Sequence, residues 1–276
     1  MIPTSLTEEE FNRFITLIYK VAGIKIPNTK RVLVSNRIRR RLRATGLDSF
    51  SRYYLFLTSS SGSKEMPHFL DEITTNETYY FRDIHQYNWF SDAFLPEIVQ
   101  KARLGKRPKR LRIWSAAASN GSELYSLAIK IQEKKAILNG WSIQLLGTDL
   151  SASALNSARA GVFDARTLRL VEPDLRRKYF DESPETGLAT IKPEIRGMAT
   201  WKPHNLIRPS LEDPFDCIFL KNVLIYFDAG SKAIVAAHMI KVLATDGYLV
   251  LGPTEVMGSM LEGLTKRQTW LYQKSI

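Results

Sequence analysis

Cysteine is almost missing from this chain: Cys217 is the single example among 276 residues. An internal disulfide is therefore excluded, and a thiol inside the apolar run 215–220 is expected to be buried and inert. Histidine is also scarce, at four residues, and no His/Cys/Asp group has metal-ligand spacing, so no metal is expected. Long hydrophobic runs are absent. The most apolar stretch, 234–251, is broken by His238, Lys241, Asp246 and Gly247, and mean hydropathy is -0.18, which argues against membrane insertion. The opening residues Met1-Ile2-Pro3-Thr4-Ser5-Leu6-Thr7-Glu8 lack the basic-then-apolar order of a signal peptide, so a cytoplasmic location and a monomer are expected.

Acidic residues are outnumbered. With 28 Asp and Glu against 39 Lys and Arg, the formal net charge is +11, which implies an acidic partner: nucleic acid, an anionic membrane surface or an acidic protein. The excess is concentrated in two segments, Arg37, Arg39, Arg40, Arg41 and Arg43, then Arg103, Lys106, Arg107, Lys109, Arg110 and Arg112.

Up to about residue 80 the pattern is helical. Thr7 and Glu10 read as a capping box, with Phe11, Phe14, Ile15, Ile18 and Ala22 on one face. A second helix is expected over 30–44, stopping at Gly46. Asp48 is placed to cap a third carrying Tyr54, Leu55 and Leu57, and Ser59-Ser60-Ser61-Gly62-Ser63 reads as a flexible connection. From about Arg110 strands alternate with helices. Strands are expected at 111–116, 143–148, 198–201, 215–220 and 248–251, with a helix over 122–135, another capped by Ser151, and a long one entered near Ser231 and ended by Gly247. The run 268–273 alternates like a half-exposed strand. Such alternation implies a mostly parallel, doubly wound α/β sheet that binds ligand at its carboxyl edge.

Two positions on that edge carry chemistry. The turn Trp114-Ser115-Ala116-Ala117-Ala118-Ser119-Asn120-Gly121-Ser122-Glu123 has small residues that admit a ligand, but only one glycine, which disfavours a pyrophosphate. A Glu in the first turn of a helix suits a cationic or hydroxyl-bearing ligand. Asp149, ending the second strand, is placed to accept from ribose hydroxyls. A plain turn and a helix-capping Asp are the competing readings. Together the two acids suggest a nucleoside without phosphates.

The signature Thr75-Asn76-Glu77-Thr78-Tyr79-Tyr80-Phe81-Arg82-Asp83 resembles the N-E-T-x-F-F-R-D of chemotaxis receptor methyltransferases, the CheR family. Arg112–Ala116 with Glu123–Ala128, Thr148-Asp149 with Ala158–Phe163, and Phe215–Asp228 are similar to that family's further motifs, in its order and over almost the whole chain. The resemblance implies a Rossmann-like class I methyltransferase domain over 76–276 with a small antiparallel β insert at about 165–200. It also implies an all-helical receptor-recognition domain over 1–75.

By the same resemblance S-adenosylmethionine is the methyl donor and S-adenosylhomocysteine the product, in sensory adaptation of a signal-transduction pathway. Asn76, Thr78, Arg82, Glu123, Asp149, Asn205, Leu206, Leu220, Lys221 and Asn222 would bind the cofactor. Arg82 and Tyr226 would stand at the transfer site, and His204 reads as a local hydrogen-bonding residue. The acceptor would be glutamate on a chemoreceptor's cytoplasmic coiled coil, met by Arg37, Arg40 and Arg41. Ala117 and Ala118 replace the family's Gly-Cys, and the stretch 180–192 is shorter than expected, which argues against tethering by a receptor's C-terminal pentapeptide. A nucleic-acid-directed methyltransferase and a catalytically silent cofactor-binding scaffold are the alternatives. The arginines lack the aromatic interleaving of an RNA surface, and the intact motif residues argue for catalysis.

Overall fold

The computed structural model describes residues 3–210 and 212–275; Met1 and Ile2, read above for a leader pattern, lie outside them. The first helix, α1 (Glu8–Ala22), has the reciprocal cap its sequence dictates. Thr7 Oγ1 accepts from the Glu10 N–H at 3.2 Å, and Glu10 Oε2 from the Thr7 N–H at 3.0 Å. Helix α2 (Arg31–Thr45) stops at Gly46 in the left-handed region, φ 71°. Helix α3 (Phe50–Thr58) is capped by Ser49 rather than Asp48, which instead pairs with the Arg52 guanidinium at 3.0 Å. Starting one residue later turns Phe50, Tyr53 and Leu57 inward and leaves Leu55 exposed. The serine run is no loose linker. It forms a 3-10 turn over Ser60–Lys64, with Gly62 so closely packed that a Cβ would come within 2.2 Å of the Phe56 carbonyl oxygen. Helix α4 (Met66–Ile73) adds Phe69, Leu70 and Ile73 to the aromatic core of this helical part.

A bent rod follows, α5 (Ile84–Trp89), a π turn at Phe90–Phe94 and α6 (Leu95–Arg103). Then come β1 (Arg110–Ala116), α7 (Ser122–Glu133), β2 (Ser142–Asp149), α8 (Ala152–Ala160), β3 (Val162–Phe163), α9 (Pro173–Tyr179), β4 (Phe180–Ser183), β5 (Leu188–Ile191), α10 (Pro193–Arg196) and β6 (Ala199–Pro203). The chain ends with β7 (Phe215–Leu220), α11 (Ala229–Val242), β8 (Leu243–Leu251), β9 (Leu264–Gln268) and β10 (Leu271–Lys274). Seven strands form one sheet in the order β6-β2-β1-β7-β8-β10-β9, parallel except for β10, which runs antiparallel to both its neighbours. This is the mostly parallel, doubly wound, Rossmann-like sheet that the alternation implies, with one apolar cluster on each face. β3, β5 and β4 make the small antiparallel sheet, which begins three residues before its expected start, at Val162.

Two expectations fail near the C-terminus. α11 is capped by Asp228 and leaves helix at Val242, because Gly247 sits against the Ala244 carbonyl inside an irregular strand rather than ending a helix. The run 268–273 is not one strand: Thr269 and Trp270 turn the chain between β9 and β10, and Trp270 packs inward.

Sheet order reverses between β1 and β7, where Ala116 lies level with both Thr148 of β2 and Leu220 of β7. A crevice opens there. The helical part closes it from above: Asn205 Nδ2 donates to the Val21 carbonyl at 2.7 Å, the Lys25 N–H to the Tyr226 carbonyl at 2.9 Å, and Ser231 Oγ to the Gly23 carbonyl at 2.9 Å.

Candidate active site

The crevice holds a cavity of about 230 Å³ walled by β1, β2 and β7 loops below and by Leu33, Val34 and Arg37 of α2 above. Asn76, Thr78, Arg82, Glu123, Asp149, Asn205, Leu206, Lys221, Asn222 and Tyr226 all reach its wall. Leu220 does not; the strand alternation sends its side chain into the apolar cluster under the sheet.

Asp149 is buried at the end of β2. Its two oxygens accept the Ser119 and Ser151 N–H groups, each at 2.8 Å, which fixes the carboxylate and leaves lone pairs toward the cavity. Burial pushes its pKa up, opposed by those backbone hydrogen bonds. Glu123, in the first turn of α7, accepts from Ser115 Oγ at 2.8 Å; its other oxygen lies 3.6 Å from Lys221 Nζ. Burial raises this carboxyl too, partly offset by Lys221.

Lys221 itself is spent inside the protein. Its Nζ donates to the Arg82 carbonyl at 2.8 Å, lies 3.3 Å from Asp83 and stands over the Tyr87 ring. Its ammonium therefore fixes the Arg82 backbone and balances two acids while the residue still lines the cavity. Asn205 is likewise a strut, bonded to Val21 and Ile207. Asn76 bridges to Ser151 at 3.1 Å, and its carbonyl accepts from Ser119 Oγ at 3.0 Å, so the signature segment is pinned to both strand ends.

Three features were not foreseen: the placement of Tyr87 and of Glu255, and the state of His204, which in the sequence read only as a local hydrogen-bonding residue. Tyr87 Oη, beside Lys221, and the Nε2 of His204, a residue whose backbone N–H donates to the Asp149 carbonyl at 3.0 Å, are buried and, among the described residues, without hydrogen-bond partners. Both residues line the cavity, one by each acidic residue. Burial keeps the Tyr87 phenol and the His204 imidazole neutral. Such orphaned groups are costly unless a ligand meets them. Glu255, 33 residues beyond Asn222, is the third: its buried carboxylate accepts the N–H groups of Asn222, Val223, Leu224 and Gly252 at 2.7–2.8 Å. These residues fit S-adenosylmethionine: two buried carboxylates, Asp149 and Glu123, and unsatisfied neutral groups stand between apolar walls of Leu150, Leu206 and Phe227.

The expected basic docking face is smaller than its arginine count. Arg37 donates to the carbonyls of Ile73 and Thr74 and to Thr75 Oγ1, bracing the segment that leads to Asn76. Arg41 makes a two-pronged ion pair with buried Glu65 at 2.8 and 2.9 Å, joined by Tyr53. Of these three only Arg40, paired with Glu72, faces outward, and Arg43 at the end of the helix is exposed as well. Arg107 and Arg112 of the second basic segment are paired with Asp216 and Glu212. Cys217 is fully buried, its thiol pushed up by burial, as the sequence implied.

A second cavity adjoins the first, sharing Thr75, Glu77, Arg82, Asn222 and Tyr226 and adding Tyr79 and Ile225. The site is thus a ligand chamber with an adjoining antechamber, both partly open to solvent, and Arg82 and Tyr226 line both. No helix among the described residues is long and apolar enough to cross a membrane.

Residues 9–74 match the family model of the CheR methyltransferase all-alpha domain, and residues 76–271 that of the CheR methyltransferase SAM-binding domain. The chain is 33% identical over 276 residues to a chemotaxis protein methyltransferase of Salmonella typhimurium, covering 98% of this chain and 92% of that one. It is 34% identical to chemotaxis protein methyltransferase 1 of Pseudomonas aeruginosa, covering 93% of each. For that of Borreliella burgdorferi the identity is 30%, over 92% of this chain and 90% of the relative. The chain belongs to the CheR family of S-adenosylmethionine-dependent chemotaxis protein methyltransferases.

Proposed function

We propose that this protein esterifies glutamate side chains on the cytoplasmic coiled coil of chemoreceptors. The donor would be S-adenosylmethionine and the products glutamate methyl esters and S-adenosylhomocysteine. The observation that carries the reading is the shared wall: Arg82 and Tyr226 line both the cofactor chamber and the antechamber, so an acceptor arriving through the second meets the donor of the first between them.

The cofactor, when bound, supplies a methyl group on a sulfonium, whose departure leaves a neutral thioether. Glu123 would hold its ammonium, Asp149 its ribose hydroxyls, and Asn76, Thr78, Leu206 and Asn222 the remaining wall. A glutamate of ordinary pKa, about 4.3, is ionised at neutral pH and needs no base. Arg82 would hold one oxygen of that carboxylate while the other faces the methyl, and Tyr226 would close the antechamber against water. On α2, Arg40 would meet an acidic acceptor, with Arg31 and Arg43 also exposed on that helix; the short β4–β5 hairpin favours recognition without a tethered receptor tail.

A tritiated-methyl transfer assay tests this directly. Base-labile label on receptor fragments is the expected result. Label on RNA, or calorimetric cofactor binding without transfer to any acidic fragment, would overturn it.

A further inference from the structure

The ring of Tyr79 lies between two guanidinium groups, Arg169 with its Cζ 3.4 Å from the ring centroid and Arg82 at 5.6 Å. Tyr79 and Arg82 line the antechamber; Arg169 and Arg166 come from the exposed loop 164–171 that follows β3. This loop is fastened to the signature segment. The Tyr80 N–H donates to the Thr167 carbonyl at 3.1 Å, Arg166 pairs with Glu77, and Tyr80 meets Phe163 and Phe180 edge-on at 5.0 and 5.2 Å.

Arg169 uses one nitrogen, Nη1, to donate to the Arg166 carbonyl at 2.7 Å. Among the described residues it has no carboxylate partner. A guanidinium flattened on an aromatic ring has already lost much of its rotamer freedom, and its unused N–H groups present a fork that matches a carboxylate. Tyr79 occupies the one open position of the N-E-T-x-F-F-R-D signature, so the cofactor does not dictate this arrangement.

We propose that Arg169, held on Tyr79 at the wall of the antechamber and flanked by Arg166, forms a second docking edge beside that cavity. It would read a carboxylate that flanks the acceptor glutamate on an acidic helical segment. On such a helix residues three or four apart share a face at about 5–6 Å, so a neighbouring acid faces the rim when the acceptor faces Arg82. The net charge of +11 supplies the complementary field. This inference rests on the proposed acidic acceptor.

The test compares wild type with Arg169→Gln, Arg169→Glu and Tyr79→Leu, using tritiated-methyl transfer to an acidic receptor fragment from about 50 mM to about 500 mM salt. At low salt Arg169→Gln is expected to raise KM for the fragment about fivefold, Arg169→Glu more, with convergence at high salt. Tyr79→Leu is expected to follow Arg169→Gln because the stack is lost. Cofactor affinity by calorimetry, which also reports folding, is expected to stay at the wild-type value in the Arg169 variants. An unchanged KM in Arg169→Glu overturns the docking edge, as does a fall in cofactor affinity large enough to explain the loss. Absence of transfer by the wild type to any acidic fragment would instead overturn the proposed function, and this inference with it.

Discussion

The Glu255 carboxylate accepts the Asn222 N–H at 2.8 Å, with Asn222 held at φ 58°, a left-handed conformation that few non-glycine residues adopt. The same carboxylate takes Val223 and Leu224, so it caps the single turn Leu224–Tyr226 that carries Tyr226 to the chamber wall. Gly252 is required beside it, since a Cβ there would meet Glu255 Oε2 at 2.6 Å. Glu255→Gln turns one of the two acceptor oxygens into a donor facing N–H groups. It is expected to lower kcat about tenfold or more, with a smaller change in cofactor Kd, because Asn222 and Tyr226 lose their placement. Steady-state kinetics beside calorimetry read the split; an equal loss in both quantities would mean general unfolding instead.

Ala117 stands where the family motif has glycine, and its φ is 68°. A Cβ in this region costs roughly 1–2 kcal/mol, partly offset by the entropy that glycine adds to the unfolded chain. Ala117→Gly is expected to stabilise the protein by up to about 1 kcal/mol, or about 2–4 °C in Tm. Because the residue lines the chamber, cofactor affinity is expected to rise or hold. Thermal melting with and without S-adenosylhomocysteine measures both, and a lower Tm in the variant would show that the loop does not store strain here.

The sequence was legible where a local rule and the fold agreed. The Thr7–Glu10 cap, the Gly46 stop, the strand at 215–220 and the acids at Glu123 and Asp149 each depend on neighbours in the chain. It was illegible where a side chain finds its partner across the fold. Nothing near Arg41 announces that Glu65 and Tyr53 will claim it, nor near Arg37 that the carbonyls of Ile73 and Thr74 will. Lys221 read as a cofactor residue from its motif and does reach the cavity wall, but nothing in the motif announces that Asp83 and Glu123, far apart in sequence, will both pair with it. Asp48 failed for a smaller reason: Ser49 is one residue closer to the helix start, and both are good caps.

The Arg41–Glu65–Tyr53 cluster separates fold from docking. Both ionised groups are largely buried, with side-chain exposures of 17% and 8%, so removing one partner strands the other. Arg41→Met is expected to cost about 3 kcal/mol of stability, whereas Arg40→Ala, at an exposed pair, is expected to cost under about 1 kcal/mol. Burial pushes the Glu65 carboxyl up, but Arg41 and Tyr53 together bring it below the ordinary 4.5. A depressed acid stabilises the fold above 4.5 and loses that contribution as pH falls through its folded value. Urea melts of wild type and Arg41→Met are therefore expected to converge as the medium is acidified below 4.5. A constant difference down to acidic pH would show that packing, not charge, sets the cost.

Glu123 titrates in the opposite sense. Burial raises its carboxyl above the ordinary 4.5 despite Lys221 and Ser115, so acidification protonates it earlier than an exposed glutamate. If this carboxylate holds the ammonium of S-adenosylmethionine, cofactor affinity is expected to fall with decreasing pH, starting above 4.5, while the cofactor's own carboxyl still carries its charge. Asp149, raised above the ordinary 3.8 by burial, adds a dependence of the same sign. Glu123→Gln removes the charge at every pH. It is expected to weaken binding about tenfold or more at neutral pH, in line with the roughly 1.5–3 kcal/mol of a charge-assisted hydrogen bond, and to leave only the dependence due to Asp149. Calorimetric titration with S-adenosylhomocysteine across mildly acidic to neutral pH gives both curves. An unaltered pH profile in Glu123→Gln would detach the ammonium from this residue and reassign the acid beside Lys221 to holding the ion pair alone.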